Sequence, residues 1–240
     1  MKNWWNEILQ SIEYDSKDNF YYIALLSAPL LLTIYRYFTE AQDFMVYFPS
    51  LQAMEQGEIY AYVLEYFSFA ILFMVIPFFI LKYYKKEEIL KEIFQMPTIP
   101  KQMKWLLVVL VIFFIWEAFV ASTMSDVLAE YPLPRKLLDD QSMLWVYFLA
   151  YFLLYYLPWE FFFRGFLLFG MKKKYGIFAA ILIQTISSCL VHIDKPVGEI
   201  LGSMPFGIVF GVIAINTRSI WVVLFLHALL GILTDTLIIF

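Results

Sequence analysis

Residues 158–165 read PWEFFFRG, an apolar run that contains one carboxylate and one guanidinium. Glu160 and Arg164 are four residues apart, so a helix places them on one face, one turn apart. A charge within hydrocarbon is costly unless it faces the protein interior and finds a partner. The pair therefore indicates either a functional site or an ion pair that only holds helices together.

The whole chain shares this apolar character. Hydrophobic residues make up 62% of its 240 residues and charged residues only 16%, whereas about a quarter of the residues of soluble domains are charged. We therefore predict an all-α polytopic bundle in contact with the lipid bilayer. A net charge of -4 gives no reason to expect a nucleic-acid partner. The single cysteine, Cys189, excludes an intrachain disulfide and a cysteine-rich metal site.

Charge-poor runs predict the membrane crossings, because each crossing needs about 20 predominantly apolar residues. We expect one integral membrane domain over residues 1–240, with about seven to eight transmembrane helices and an interfacial segment at residues 1–19. The first four crossings are predicted at 18–36, at 65–82, from 104 onward with Glu117 inside, and at 141–170. The last three are predicted at 175–193, 200–217 and 219–240.

The distribution of lysine and arginine predicts the orientation, since these residues accumulate in cytoplasmic loops. An N-terminus in the cytoplasm places the lysine-rich segments 82–104 and 172–174 inside. The loops on the other side then hold only Arg36, Arg135, Lys136 and Lys195. We therefore predict a cytoplasmic N-terminus.

The chain has only two histidines, His192 and His227, and both lie in later apolar segments. With Glu160 and Arg164 they could form an acid/base site that activates water against an amide, because histidine titrates near neutrality. Alternatively, Glu160 and the histidines are the His2Glu ligand set of some zinc hydrolases. Each histidine could instead be a core residue hydrogen-bonded across helices. Glu117 is a candidate partner for Arg164 from another helix.

Two features bear on whether these groups meet. Pro158 removes a backbone donor and predicts a kink or break just before Glu160. On straight parallel helices with about 1.5 Å per residue, His192 would lie about 10 Å too high. Tilt, a break at Pro158 or an early end of the fifth helix must close that gap.

The order and spacing of these groups resemble the CPBP family, the CAAX-protease and bacteriocin-processing (Abi-type) group that includes the type II CAAX prenyl endopeptidases. The family motifs are E-E-x-x-x-R, F-x-x-x-H and H-x-x-x-N. This sequence offers WEFFFR from 159, SCLVH from 188 and HALLG from 227. The resemblance covers about 145–235, so residues 143–240 are expected to form a protease-like core.

The resemblance implies a helical bundle around a polar cavity and an endopeptidase of a bacterial plasma membrane. Glu160, Arg164, His192 and His227 match motif positions and are the candidate catalytic residues. Glu160 and His192 would activate water, His227 would polarise the carbonyl, and Arg164 would hold Glu160. The implied substrate is a membrane-embedded or lipidated peptide or protein, such as a CAAX-type protein. This interpretation requires no cofactor, and a divalent metal such as zinc stays the alternative.

Two positions depart from the motifs. Trp159 stands where the family has its first glutamate, and Gly231 stands where it has an asparagine that helps to stabilise the oxyanion. A catalytically degenerate member that acts as a membrane binding, immunity or regulatory protein is therefore the second hypothesis. A proton-coupled transporter with a relay of Glu117, Glu160 and Asp235 is the third, although no inverted repeat supports it.

Overall fold

The computed structural model describes residues 2–240, and 82% of the chain is helical. No strand occurs among residues 2–240. In chain order the helices are α1 (Lys2–Ser11), α2 (Ser16–Phe38), α3 (Ala41–Tyr47), α4 (Gly57–Tyr83), α5 (Glu87–Phe94), α6 (Lys101–Ala121), α7 (Ser125–Glu130), α8 (Leu144–Tyr175), α9 (Ile177–Leu190), α10 (Val197–Thr217) and α11 (Trp221–Ile239). The predicted all-α polytopic bundle is confirmed.

Six of these helices, α2, α4, α6, α8, α10 and α11, are long and apolar enough to cross a membrane. The remaining predicted crossing, 175–193, corresponds to α9, which is apolar but has only 14 residues. At about 1.5 Å per residue, such a helix is shorter than a bilayer core of about 30 Å. Because α9 ends at Leu190, His192 lies in the turn that follows it. Of the three expected ways to bring His192 to the height of the other groups, the structure thus shows an early end of the fifth predicted crossing, α9.

Helix α8 runs through the centre of the bundle. Of its most apolar stretch, 56% is buried, against 17% for α6. Wide π-helical turns cover Tyr151–Tyr156 and Phe161–Phe169, on either side of Pro158. A π-turn changes the direction in which the following side chains point. The helix is continuous through Pro158, so the predicted kink or break is not a break, and a kink stays a prediction.

Aromatic rings fix α8 against its neighbours. Every residue from Phe161 to Phe169 is buried. Phe73 of α4 packs edge-to-face on Phe162, with ring centroids 5.0 Å apart. Such pairs add packing energy beyond the buried area, which matters in a membrane because lipid tails are as apolar as the side chains.

Helices α9 and α10 approach each other closely at Gly207. A Cβ atom at that position would lie 2.8 Å from Thr185 of α9. The carbonyl of Gly207 also accepts a hydrogen bond from Gln184 at 2.8 Å. The close approach holds the C-terminal end of α9, and with it His192, beside α10.

The N-terminal segment contains the amphipathic helix α1, with Trp4 and Trp5 each 58% exposed. Exposed tryptophans are typical of helices that lie at a membrane surface. The interfacial position of residues 1–19 stays a prediction.

Candidate active site

Glu160 lies in the middle of α8 and is completely buried. Its Oε1 atom is 2.7 Å from Nδ1 of His227 and 3.3 Å from Nη1 of Arg164. A carboxylate accepts hydrogen bonds, so Nδ1 of His227 carries the proton and Nε2 is left with a lone pair. The three predicted residues thus form one hydrogen-bonded chain from guanidinium to carboxylate to imidazole.

His192 is held in the same tautomer by a different partner. Its Nδ1 atom is 2.9 Å from the carbonyl oxygen of Ser188, one turn earlier in α9. Since a carbonyl oxygen can only accept, Nδ1 is the donor and Nε2 is the free acceptor. In both imidazoles the lone pair is therefore on Nε2.

Trp159 contacts both imidazoles. Its ring centroid lies 5.3 Å from that of His192 and 5.5 Å from that of His227, both edge-to-face. The indole is almost completely buried, and its Nε1–H group has no hydrogen-bond partner. The position at which the family has its first glutamate thus holds an aromatic ring with an unused donor.

A cavity of about 190 Å³ opens beside these groups. Trp159, Arg164, His192 and His227 all line its wall. Glu160 is completely buried and does not line it, although its carboxylate contacts His227. The structure therefore brings all four predicted catalytic residues together, but only three of them face the cavity.

Tyr156 fills the space next to Gly231. A Cβ atom on Gly231 would overlap the hydroxyl oxygen of Tyr156 and lie 2.9 Å from its Cζ atom. The Tyr156 ring packs edge-to-face on His227, with centroids 4.9 Å apart, and lines the cavity. Tyr156 was not among the residues predicted from the sequence. The signal was the spacing of Tyr156, Glu160 and Arg164, which recur every fourth residue along one helix.

Glu117 does not pair with Arg164, contrary to the predicted contact. Arg164 binds Glu160 of its own helix, and Oε2 of Glu117 has no hydrogen-bond partner. A proton relay through Glu117, Glu160 and Asp235 would need hydrogen bonds between them. Asp235 instead accepts from Tyr147 at 2.8 Å, and no hydrogen bond joins any two of the three residues, all of which are described.

The His2Glu ligand set does not form in this conformation. Among residues 2–240, no three side chains of His, Cys, Asp or Glu lie close enough together to hold a metal ion. Glu160 and Nδ1 of His227 bind each other, and the His192 ring packs on the indole of Trp159. The residues present do not fit a zinc ion held by these three groups.

The comparisons with known proteins agree with the motifs. Residues 141–233 match the family model of the Rce1-like type II CAAX prenyl endopeptidases. No curated protein and no solved structure matches the chain. The matched residues run from three residues before α8 into α11 and contain Glu160, Arg164, His192 and His227. The chain is thus an integral membrane protein whose residues 141–233 are similar to the Rce1-like type II CAAX prenyl endopeptidases.

Proposed function

We propose that this protein is an intramembrane endopeptidase in which His227, oriented by Glu160, is the general base. The observation that carries the proposal is the hydrogen-bonded chain Arg164–Glu160–His227, in which the lone pair of the imidazole is on Nε2 and the His227 side chain lines the cavity. The family match supports a peptidase of the CAAX-protease type. The substrate is a peptide or protein embedded in, or lipidated to, the membrane.

The mechanism starts from a water molecule near the two imidazoles. Nε2 of His227 takes a proton from this water while its oxygen attacks the substrate carbonyl. The carboxylate of Glu160 stabilises the imidazolium that forms, as the acid of a catalytic triad does. Nε2 of His192 accepts a hydrogen bond from the second hydrogen of this water. The imidazolium of His227 then gives its proton to the amide nitrogen, the C–N bond breaks, and the new carboxylate and amine ends leave as products. Glu160 therefore acts on His227, whereas our sequence analysis assigned it direct contact with water.

Two donors are available for the oxyanion of the tetrahedral intermediate. The hydroxyl of Tyr156 fills the space beside Gly231, and the Nε1–H of Trp159 has no other partner. Both side chains line the cavity. A prearranged donor at this point is worth about 10² to 10³ in rate. Together they compensate for the missing asparagine side chain.

Cleavage of a membrane-anchored reporter peptide in proteoliposomes tests the proposal. We expect His227→Ala to lower kcat by about 10² to 10⁴, the usual contribution of general-base catalysis. Glu160→Gln should lower kcat comparably, because an amide no longer stabilises the imidazolium. The matched control is Glu55→Gln, which changes an exposed carboxylate without a hydrogen-bond partner. Unchanged cleavage by a folded His192→Ala/His227→Ala variant would refute the proposal.

A non-catalytic binding protein is the second candidate, and Trp159 favours it. The indole occupies the position of a catalytic glutamate and contacts both imidazoles. On this hypothesis, the wild type retains the reporter peptide without cutting it. A Glu160→Gln/His192→Ala variant would then restore the phenotype of a strain that lacks the protein, whereas the peptidase hypothesis predicts no rescue.

A further inference from the structure

Three carboxylates line the cavity apart from the proposed catalytic chain. Glu117 of α6, Glu199 of α10 and Asp235 of α11 reach it from three different helices. Among the described residues, none of them lies within ion-pair distance of a lysine or arginine. Their partners are neutral: Tyr131 donates to Glu199 at 2.9 Å, and Tyr147 donates to Asp235 at 2.8 Å. These three carboxyl groups therefore form no ion pair among the described residues, although Lys195 lines the same cavity.

Tyr131, in the loop after α7, stays a neutral donor. Burial, and then the nearby Glu199, raise the pKa of the Tyr131 hydroxyl well above its usual range. The phenol therefore gives Glu199 a hydrogen bond without a positive charge.

The two cations of the cavity wall are already paired. Arg164 binds Glu160, and Lys195 binds Glu130. Neither Glu160 nor Glu130 lines the cavity. Both cations of the wall are thus paired with carboxylates that do not line the cavity. The carboxyl groups of Glu117, Glu199 and Asp235 remain in its wall without such a pair.

Asp235 is the clearest sign that a donor is missing. Its side chain is only 1% exposed, and Oδ1 has no hydrogen-bond partner although it is buried. A buried acceptor without a partner is destabilising, and more so when it is charged. Asp235 lines the cavity, so a group bound there can supply the missing donor.

The rest of the wall suits a cation with an organic stem. Tyr151, Tyr155, Tyr156 and Trp159 present aromatic rings to the cavity, and aromatic faces attract ammonium and guanidinium groups. The carboxylates are too far apart to hold one metal ion together. Separated carboxylates and aromatic rings match a long side chain with a charged tip.

We propose that this cavity binds a positively charged side chain of the substrate, a lysine or an arginine near the peptide bond that is presented to the histidines. The assignment to a substrate rests on the proposed peptidase function, whereas binding of the cation requires no cleavage. The charged tip lies toward Asp235 and Glu199, and its methylene stem packs on the aromatic rings.

Binding to the protein in nanodiscs tests the proposal with two fluorescent peptides of one sequence, one with a central lysine and one with norleucine. Norleucine keeps the stem and removes the charge. We expect the lysine peptide to bind at least about tenfold more tightly, the least that one charged hydrogen bond contributes. Asp235→Asn and Glu199→Gln should each reduce this ratio, and Glu55→Gln should leave it unchanged.

Equal affinity for the two peptides would overturn the proposal. So would a lysine preference that survives in the Asp235→Asn/Glu199→Gln variant. Thermal unfolding of each variant shows whether it folds. If Asp235→Asn does not fold, the lysine preference of the Glu199→Gln variant alone tests the proposal. A lysine preference without any cleavage would refute the proposed peptidase function and support the cation site. Cleavage without the lysine preference would support the peptidase function and refute the cation site.

Discussion

At the residue scale, the side chain of Tyr156 fills the space that a side chain at position 231 would occupy. Gly231 has no side chain, and the Tyr156 hydroxyl occupies the place where its Cβ would stand. The tyrosine reaches this place from α8, whereas the asparagine of the family motif would come from α11. A donor thus remains beside His227, although it comes from a different helix.

Tyr156→Phe removes this donor and keeps the ring against His227. We expect kcat to fall by about 10² to 10³ with little change in KM, because the hydroxyl acts on the oxyanion of the transition state. Steady-state kinetics with the reporter peptide measure kcat and KM separately. In the other direction, Gly231→Ala should lower stability by about 1 to 3 kcal/mol through the clash, and Tyr156→Phe should recover part of it. A Tyr156→Phe enzyme with wild-type kcat would show that the hydroxyl only fills space.

At the element scale, the length of α9 and the π-turns of α8 place the candidate site. The 14 residues of α9 end before His192, so the imidazole turns back toward the bundle and contacts Trp159. The π-turns on either side of Pro158 let Glu160 face His227. A regular α8 would give its side chains another direction.

The contact between α9 and α10 can be tested at Gly207. Gly207→Ala places a methyl group 2.8 Å from Thr185, so we expect a loss of about 1 to 3 kcal/mol in stability. Reporter cleavage should also fall, because the shift of α9 moves His192. Thr185→Ala in the same chain makes room and should restore both properties. Thermal unfolding in detergent measures the first effect, and no recovery in the double variant would contradict the packing explanation.

Part of the fold and of the candidate site can be predicted from the sequence, and part cannot. The helices could be predicted, because apolar runs and charges depend on local composition. The four groups Glu160, Arg164, His192 and His227 were expected to meet only through their resemblance to the family motifs, since straight parallel helices would leave His192 about 10 Å too high. The direction of Glu160 could not, because a π-turn is decided by packing around α8 and leaves no clear pattern of its own. Tyr156 was missed because its role depends on a contact with Gly231 on a distant helix.

At the scale of the whole molecule, the cavity lies toward one end of the bundle. Its acidic residues come from the end of α6, the start of α10 and the end of α11, next to the loop that holds Tyr131. The lysine-rich last turn of α8 and the helix α5 lie at the other end. If the predicted orientation holds, the substrate reaches the cavity from the non-cytoplasmic side of the membrane or from the bilayer.

Cysteine labelling tests this orientation. Cys189 is the only cysteine, so a Cys189→Ser chain is a clean background for single cysteines at exposed positions. We expect a membrane-impermeant maleimide to label Asp139→Cys in intact cells, and Lys173→Cys only after the membrane is opened. The reverse pattern would place the N-terminus outside and the cavity toward the cytoplasm.

The most direct test of the central claim is hydrolysis of the reporter peptide in water enriched with oxygen-18, with the products weighed by mass spectrometry. Water activated by His227 must add one labelled oxygen to the new terminal carboxylate. We therefore expect a single internal cut with one oxygen-18 atom in the N-terminal product for the wild type, and none for the folded His192→Ala/His227→Ala variant. An uncut peptide with the wild type, or the same labelled product from the variant, would contradict the account.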